Sequence, residues 1–215
     1  MNSDNLMRTI SIAISAILVA FIVFWITRYY LSDSGSKKTT IQLTQDDLDI
    51  VYGEDTASIS VFMYSNYGCP YCRKFFTEVY PELENEYIKT GKIKLVMRLT
   101  LSTKNQDLMN SLKAAVCVNR YGNYEYLHQL MLSQSNIVFT SDFQDMLNEF
   151  IDKDPLVAQC MLAGESEAYL QRNLQEFEKL GLQGTPSFVV QNTVIHGFSD
   201  YPRFRQMLEE IMNKK

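Results

Sequence analysis

The sequence predicts an α/β fold: one sheet with helices on both faces, interrupted by an inserted helical subdomain and preceded by one N-terminal transmembrane helix. Three observations predict it. Short runs rich in β-branched and aromatic residues alternate with helical stripes in the order strand, helix, strand, helical block, strand, strand, helix. A Cys-x-x-Cys stands where the first of those strands meets the first helix. Nineteen residues between Arg8 and Arg28 carry no charge. The formal net charge of −5 over 215 residues, with no long basic run, gives no support to a nucleic-acid role. Four cysteines in a chain this long do not make a disulfide-dense scaffold.

Residues 1–31 read as a short tail and a transmembrane anchor, 32–40 as a linker, and 41–215 as one folded domain. The uncharged run, dominated by Ile, Leu, Val and Phe, would extend about 28 Å as a helix, close to a bilayer's hydrocarbon thickness. Trp25, Tyr29 and Tyr30 cluster at its end, where a membrane interface favours them. A cleaved signal peptide is the alternative. Its apolar region is usually about 7–15 residues, shorter than this one, although small residues do follow at Ser32, Ser34 and Ser36. Counting cations, Arg8 and the free amine face Arg28, Lys37 and Lys38, which would hold the domain on the cytoplasmic side. The redox chemistry below favours the opposite side, and that expectation prevails. Ser-Asp-Ser-Gly-Ser-Lys-Lys-Thr-Thr, 32–40, is small and polar, as a flexible linker is.

Within the domain, Ser58 to Ser65 is a buried strand ending at the turn Asn66-Tyr67-Gly68. A helix begins at Pro70, where a missing N–H costs nothing, and carries Phe75, Phe76, Val79, Leu83, Tyr87 and Ile88 on one stripe, with a kink expected at Pro81. Ile93 to Met97 is the second strand. Residues 104–180 read as helical throughout, broken at Gly122, Asp154-Pro155 and Gly164. Ser187–Val190 and Thr193–His196 form a hairpin, and Phe204, Met207, Leu208 and Ile211 line a last helix.

Cys69-Pro70-Tyr71-Cys72 carries the chemistry. A disulfide that opens and closes needs two sulfurs within reach and one ionised near neutral pH. Two intervening residues place both on the first helical turn. Cys69 then sits at the helix N-terminus, where unpaired N–H groups and the positive dipole end favour its thiolate. Cys72, one turn in, is the buried resolving thiol. Half of a zinc site is the rival reading. It lacks a second close pair, because Cys117 and Cys160 stand alone and His128 and His196 complete no ligand spacing. No metal or other cofactor is expected beyond the Cys69–Cys72 disulfide itself. A static structural disulfide at this range would be strained.

Val-Phe-Met-Tyr-Ser-Asn-Tyr-Gly-Cys-Pro-Tyr-Cys-Arg-Lys-Phe, 61–75, and Gly-Leu-Gln-Gly-Thr-Pro-Ser-Phe-Val-Val, 181–190, resemble the active-site segments of the DsbA-like thioredoxin-fold oxidoreductases. The resemblance covers roughly residues 50–212. It implies a thioredoxin-like fold with a helical insertion, catalytic Cys69 and Cys72 tuned by Pro70 and Tyr71, and a cis Pro186 preceded by Thr185, whose backbone pairs with substrate. With the uncharged run as anchor and the redox pair placed outside the cytoplasm, the expectation is a single-pass protein of a bacterial cytoplasmic membrane with its catalytic domain in the periplasm. Exported proteins with free thiols would be its substrates. A quinone-coupled membrane oxidase of DsbB or vitamin-K-epoxide-reductase type would reoxidise it.

The chain departs from the family in two ways. Met63 and Asn66 stand where many members carry acidic residues that move protons to the resolving cysteine, and Pro-Tyr replaces the Pro-His of the strongest oxidants. A weaker oxidant is therefore expected. Cys117 and Cys160 are read either as small buried apolar residues or as a structural disulfide joining two helices of the insertion. His128 and His196 are expected to be structural. Tyr64, Tyr67 and Tyr71 either line an apolar substrate groove or pack in the core and rim. Two other functions stay open: a reductase or disulfide isomerase with the same fold, and an anchored binding or chaperone module in which the Cys pair is incidental.

Overall fold

A computed structural model describes residues 3–33, 41–100, 105–134 and 136–214, with the backbone alone for 3–11 and 29–33. The chain separates into two units, 1–40 and 41–215. The first contains helix α1 (Ser3–Asp33). Its apolar side chains from Ile12 to Ile26 stand exposed, Trp25 at 63%. Among the described residues no helix is long and apolar enough to cross a membrane. The described side chains run from 12 to 28, and at a rise of 1.5 Å per residue these cover about 26 Å of a hydrocarbon core about 30 Å thick. The anchor expected over 1–31 is therefore unsupported by the structure. The linker expected over 32–40 lies, past Asp33, outside the described residues, as do the side chains of Tyr29 and Tyr30.

The second unit is built on a five-stranded sheet. β2 (Ile59–Ser65) and β3 (Ile93–Leu99) run parallel at its centre, in register from Ile59 opposite Ile93 to Ser65 opposite Leu99. β4 (Ser187–Val190) and β5 (Thr193–His196) form the expected hairpin, with β4 antiparallel to β2. β1 (Ile50–Tyr52) closes the other edge antiparallel to β3, so the order is β1-β3-β2-β4-β5. Periodicity does not reveal β1, because three residues are too few to establish an alternation.

Alternation along the strands gives the sheet two apolar faces. Val61, Met63, Leu95, Met97 and Phe188 enter the larger core with Phe75 of α2 (Pro70–Glu78) and Phe204 of α9 (Tyr201–Met212). The rings of Phe75, Phe188 and Phe204 meet at centroid distances of 4.8–5.6 Å. Phe62, Tyr64, Val96 and Val189 face the other way and meet Leu182 and Phe177.

The helix after Cys69 does not run on to a kink at Pro81. α2 ends at Glu78 with Val79 as its C-cap, and α3 (Tyr80–Leu83) restarts the chain before a π-helical turn over Glu84–Ile88. Pro81 has no N–H for the carbonyl four residues back, and its ring crowds that turn, so the break falls two residues before it.

The insertion comprises α4 (Gln106–Tyr121), α5 (Tyr124–Ser133), a 3-10 turn over Ile137–Phe139, α6 (Ser141–Asp152), α7 (Pro155–Leu162) and α8 (Glu165–Lys179). Side chains of Asn105, Asn123, Thr140 and Asp154 accept from first-turn N–H groups and fix where four of these helices begin. The expected breaks at Gly122 and Gly164 fall between helices, and Asp154-Pro155 forms the N-cap and first residue of α7. Residues 101–104, where the insertion leaves β3, lie outside the described residues.

A buried ionic brace fastens α8 to the sheet. Arg98 on β3 reaches Asp49 at 3.2 Å, with side chains only 5% and 0% exposed. It also reaches Glu176 of α8 and the carbonyl of Thr44. Tyr169 of α8 donates to Asp49 at 2.8 Å, and Tyr64 of β2 donates to Glu176.

Candidate active site

Strand β2 ends at Ser65, and Asn66, Tyr67 and Gly68 turn the chain into α2. Close packing shapes this turn. A Cβ on Gly68 would lie 2.9 Å from the Phe139 ring and 3.3 Å from Asn66 Oδ1. Cys69 is the N-cap of α2, with an extended backbone (φ −94°, ψ 116°), and Pro70 occupies the first turn. Cys69 is half-buried, Cys72 is buried at 2% exposure, and both are free thiols.

The two sulfurs have opposed electrostatics. The Cys72 thiol, hydrogen-bonded to Cys69, is the largest influence lowering the Cys69 thiol, which falls from its ordinary value to about 6; Thr185 and the N–H groups of Cys72 and Tyr71 add to this against partial burial. The Cys69 side chain makes no formal cap bond to the first turn, so these N–H groups favour its charge through proximity. Burial pushes the Cys72 thiol well up, and the neighbouring Cys69 sulfur adds to that; Ser65 and the Asn66 backbone oppose it. No carboxylate is among the leading influences on either sulfur.

Thr185 lies against the motif. The Thr185–Pro186 bond is cis. Cys69 Sγ donates to the Thr185 carbonyl at 3.0 Å. Asn66, 2% exposed, donates from Nδ2 to Thr185 Oγ1 at 3.3 Å and so links the two loops. Beside Thr185 lies an open cleft of about 390 Å³ whose wall includes Gly184, Ser187, His196 and Gly197.

The three motif tyrosines part company. Tyr71 is 57% exposed and stacks on Phe198 at 6.3 Å, with Lys74 Nζ 4.9 Å above that ring. Tyr64 is fully buried on the opposite sheet face. Tyr67 turns inward, its hydroxyl 2.6 Å from His128 Nδ1 and 2.7 Å from the Tyr124 hydroxyl. The rim is therefore Tyr71 and Phe198, and only Tyr71 is available to a groove.

Cys117 on α4 and Cys160 on α7 are bonded to each other, with Cα atoms 5.7 Å apart. Of the histidines, His196 stands exposed on edge strand β5 and His128 is buried. Sequence reasoning passed over Asn66, Phe198 and the Tyr67–His128 contact. The sequence marks Asn66 as a turn residue and as the absence of an acid, neither of which points to its bond with Thr185, and Phe198 lies in a loop that no periodicity marks.

A family model described as Thioredoxin matches residues 45–210. A protein from Rickettsia prowazekii named as a protein-disulfide oxidoreductase is 27% identical over 169 residues, covering 76% of this chain and 61% of its own length. The chain thus spans about three fifths of that relative. Disulfide bond formation protein D of Bacillus subtilis is 20% identical over 182 residues, covering 77% of this chain and 78% of its own. Among solved structures, a thioredoxin-like oxidoreductase from Silicibacter pomeroyi superposes with a TM-score of 0.66 at 23% identity, over 79% of this chain and 95% of that one. With the central sheet, the helix-capping cysteine and the cis-proline loop all inside the matched span, the chain belongs to the thioredoxin family.

Proposed function

We propose that this chain is a thiol–disulfide oxidoreductase that forms disulfides in exported proteins. One observation carries the reading: the half-buried Cys69 caps the first turn of α2, where its thiol is lowered, while Cys72 lies buried one turn on, where burial pushes its thiol up. In the oxidised form a substrate thiolate attacks Cys69 Sγ, the Cys69–Cys72 bond breaks, and Cys72 leaves and takes up a proton. A second substrate thiolate then attacks the substrate sulfur of the mixed disulfide and releases Cys69 as a thiolate. The substrate is oxidised by two electrons and the pair is reduced by two. A thiolate that is stable at neutral pH is a good leaving group, and its stability favours the reduced enzyme, which makes the disulfide form an oxidant. The Thr185 carbonyl beside Cys69 is suited to hold an extended substrate segment. A quinone-coupled membrane oxidase would accept the electrons.

The reduction potential, read by equilibration with glutathione, tests the direction. A value between about −120 and −200 mV is expected, whereas one near the thioredoxin value of about −270 mV would make the chain a reductase.

The same reading includes a single-pass anchor formed by the uncharged run before Arg28, with the domain on the extracytoplasmic side. Protease added to intact bacterial spheroplasts is expected to digest the domain and leave a membrane-bound N-terminal fragment. Complete protection of the domain would overturn that topology, and release of the domain by a carbonate wash would overturn the anchor.

A further inference from the structure

Asn66 follows strand β2 and is 2% exposed, yet it does none of the work that usually places asparagine in a turn. Asparagine suits turns because it tolerates a positive φ and because its side-chain oxygen accepts from nearby backbone N–H groups. Among the described residues only Asn136 and Gln191 combine a side chain with a positive φ. The Asn66 Oδ1 is buried without a hydrogen-bond partner. It borders the space over Gly68 that the Phe139 ring also borders: a Cβ there would lie 3.3 Å from the oxygen and 2.9 Å from the ring. A buried, unpaired carbonyl oxygen weakens a fold, so stability alone would favour an apolar side chain of the same branched shape.

What the side chain does reach is Thr185, 119 positions on. Its Nδ2 donates to Thr185 Oγ1 at 3.3 Å, and its backbone carbonyl accepts from the Cys69 N–H at 3.3 Å. Other groups hold the residues that flank Thr185: Ser187 Oγ donates to the Gly184 carbonyl at 2.6 Å, and the Gly197 N–H donates to the Pro186 carbonyl at 2.9 Å. Thr185 itself faces the motif, its carbonyl 3.0 Å from Cys69 Sγ. That carbonyl accepts the proton of the Cys69 thiol. Once the proton is gone the same oxygen faces an anion, and the Thr185 hydroxyl is the donor that replaces it. A hydroxyl has one proton and two lone pairs. With one lone pair taken by the Asn66 amide, the proton is left for the sulfur. In keeping with this, the Thr185 side chain is among the hydrogen-bonding groups that lower the Cys69 thiol.

We propose that Asn66 is a positioning residue for the exchange reaction: its amide holds Thr185 against Cys69 and aims the Thr185 hydroxyl proton at the sulfur whenever that sulfur is an anion. The proposal rests on the oxidoreductase reading above. Cys69 leaves as a thiolate when the second substrate thiolate attacks the mixed disulfide, and the aimed hydroxyl meets that charge as it forms. The groups around the Cys69 sulfur are Cys72 and the Tyr71 N–H from α2 and Thr185 from the loop before β4. The Asn66 side chain is uncharged, takes no part in proton or electron transfer, and acts through Thr185.

Asn66→Leu keeps the branched shape and removes both the donor and the unpaired oxygen; Asn66→Ala removes them with less bulk. In the reduced full chain in detergent, either change is expected to raise the half-point for alkylation of Cys69 by the equivalent of about a threefold to tenfold loss of thiolate stability, the worth of one net hydrogen bond. At pH 8, where the thiolate predominates in wild type and variant alike, the same factor should lower the reduction potential by about 15–30 mV. The urea midpoint of oxidised Asn66→Leu, which has no thiolate, should not fall. Thr185→Val removes the hydroxyl and keeps the carbonyl. It should shift the half-point similarly, and combining it with Asn66→Leu should add nothing. An unaltered half-point and potential in folded Asn66→Leu or Asn66→Ala, an unaltered half-point in Thr185→Val, or shifts that add in full in the double variant would overturn the positioning role and leave the oxidoreductase reading standing. Failure of both Asn66 variants to fold would make the residue structural and overturn the role equally. A wild-type half-point near that of a free thiol, about 8.5, would overturn the oxidoreductase reading itself.

Discussion

Replacing Cys69 by Ser is expected to reduce disulfide exchange to the uncatalysed background, because the attacked sulfur and the stabilised leaving group are the same atom. In the reduced wild type, alkylation of Cys69 by iodoacetamide should rise with a half-point near pH 6, against about 8.5 for a thiol in an unstructured peptide. Since the Cys72 thiol is the largest cause of that lowering, Cys72→Ala should move the half-point back up and trap mixed disulfides with substrate proteins. The sign of the linked stability follows. The folded-state ionisation of Cys69 lies below the unfolded value, so its contribution to the reduced fold is fully present above about 8.5 and is lost as pH falls through about 6. Cys72, shifted the other way, opposes this only at higher pH. Thermal unfolding of the reduced chain should therefore strengthen from pH 6 to 8 relative to the oxidised chain, which has no such group to titrate. An alkylation half-point near 8.5 would remove the physical basis of the oxidoreductase reading.

How much of this was legible depends on which interactions are local. A strand, a turn and a helix N-terminus lie in contiguous sequence around Asn66 to Cys72, so the electrostatic asymmetry of the two cysteines follows from order alone. The hairpin Ser187–His196 and the helix breaks at Gly122, Pro155 and Gly164 are equally local and fall where expected. The Arg98–Asp49–Glu176 brace joins residues 49 and 78 positions apart, and no periodicity carries that information. The same holds for Tyr67 with His128, 61 positions apart: each residue has an ordinary reading alone, and only the fold makes them a pair. The break at Val79 was a matter of degree, because Pro81 announces an interruption but the preceding carbonyl decides where it falls. Pairing of Cys117 with Cys160 required knowing that α4 and α7 pack together, which isolated cysteines in helical stripes do not say.

Arg98→Leu is expected to have the largest effect on stability. Leucine fills much of the same volume, so the change isolates the charge. It strands the Asp49 carboxylate, whose side chain has no solvent exposure, and leaves the Thr44 carbonyl and Glu176 without their shared donor. Removing one member of a buried ion pair costs about 3–5 kcal/mol, because the remaining charge keeps its desolvation penalty and loses its compensation. In urea titration of the 41–215 unit within the full chain, the midpoint should fall accordingly. The pH dependence separates this from a packing defect. Burial already pushes the Asp49 carboxyl up against the opposing pull of Arg98. Without Arg98 the carboxyl rises further, so the fold takes up a proton there more readily than the unfolded chain does, and the deficit should shrink as pH falls from 7 towards 5. Arg98→Leu combined with Asp49→Asn removes both charges and should recover part of the loss at neutral pH. A deficit that is the same at every pH, and the same in the double variant, would mean that Arg98 contributes through its contact with the Phe62 ring and not through the brace.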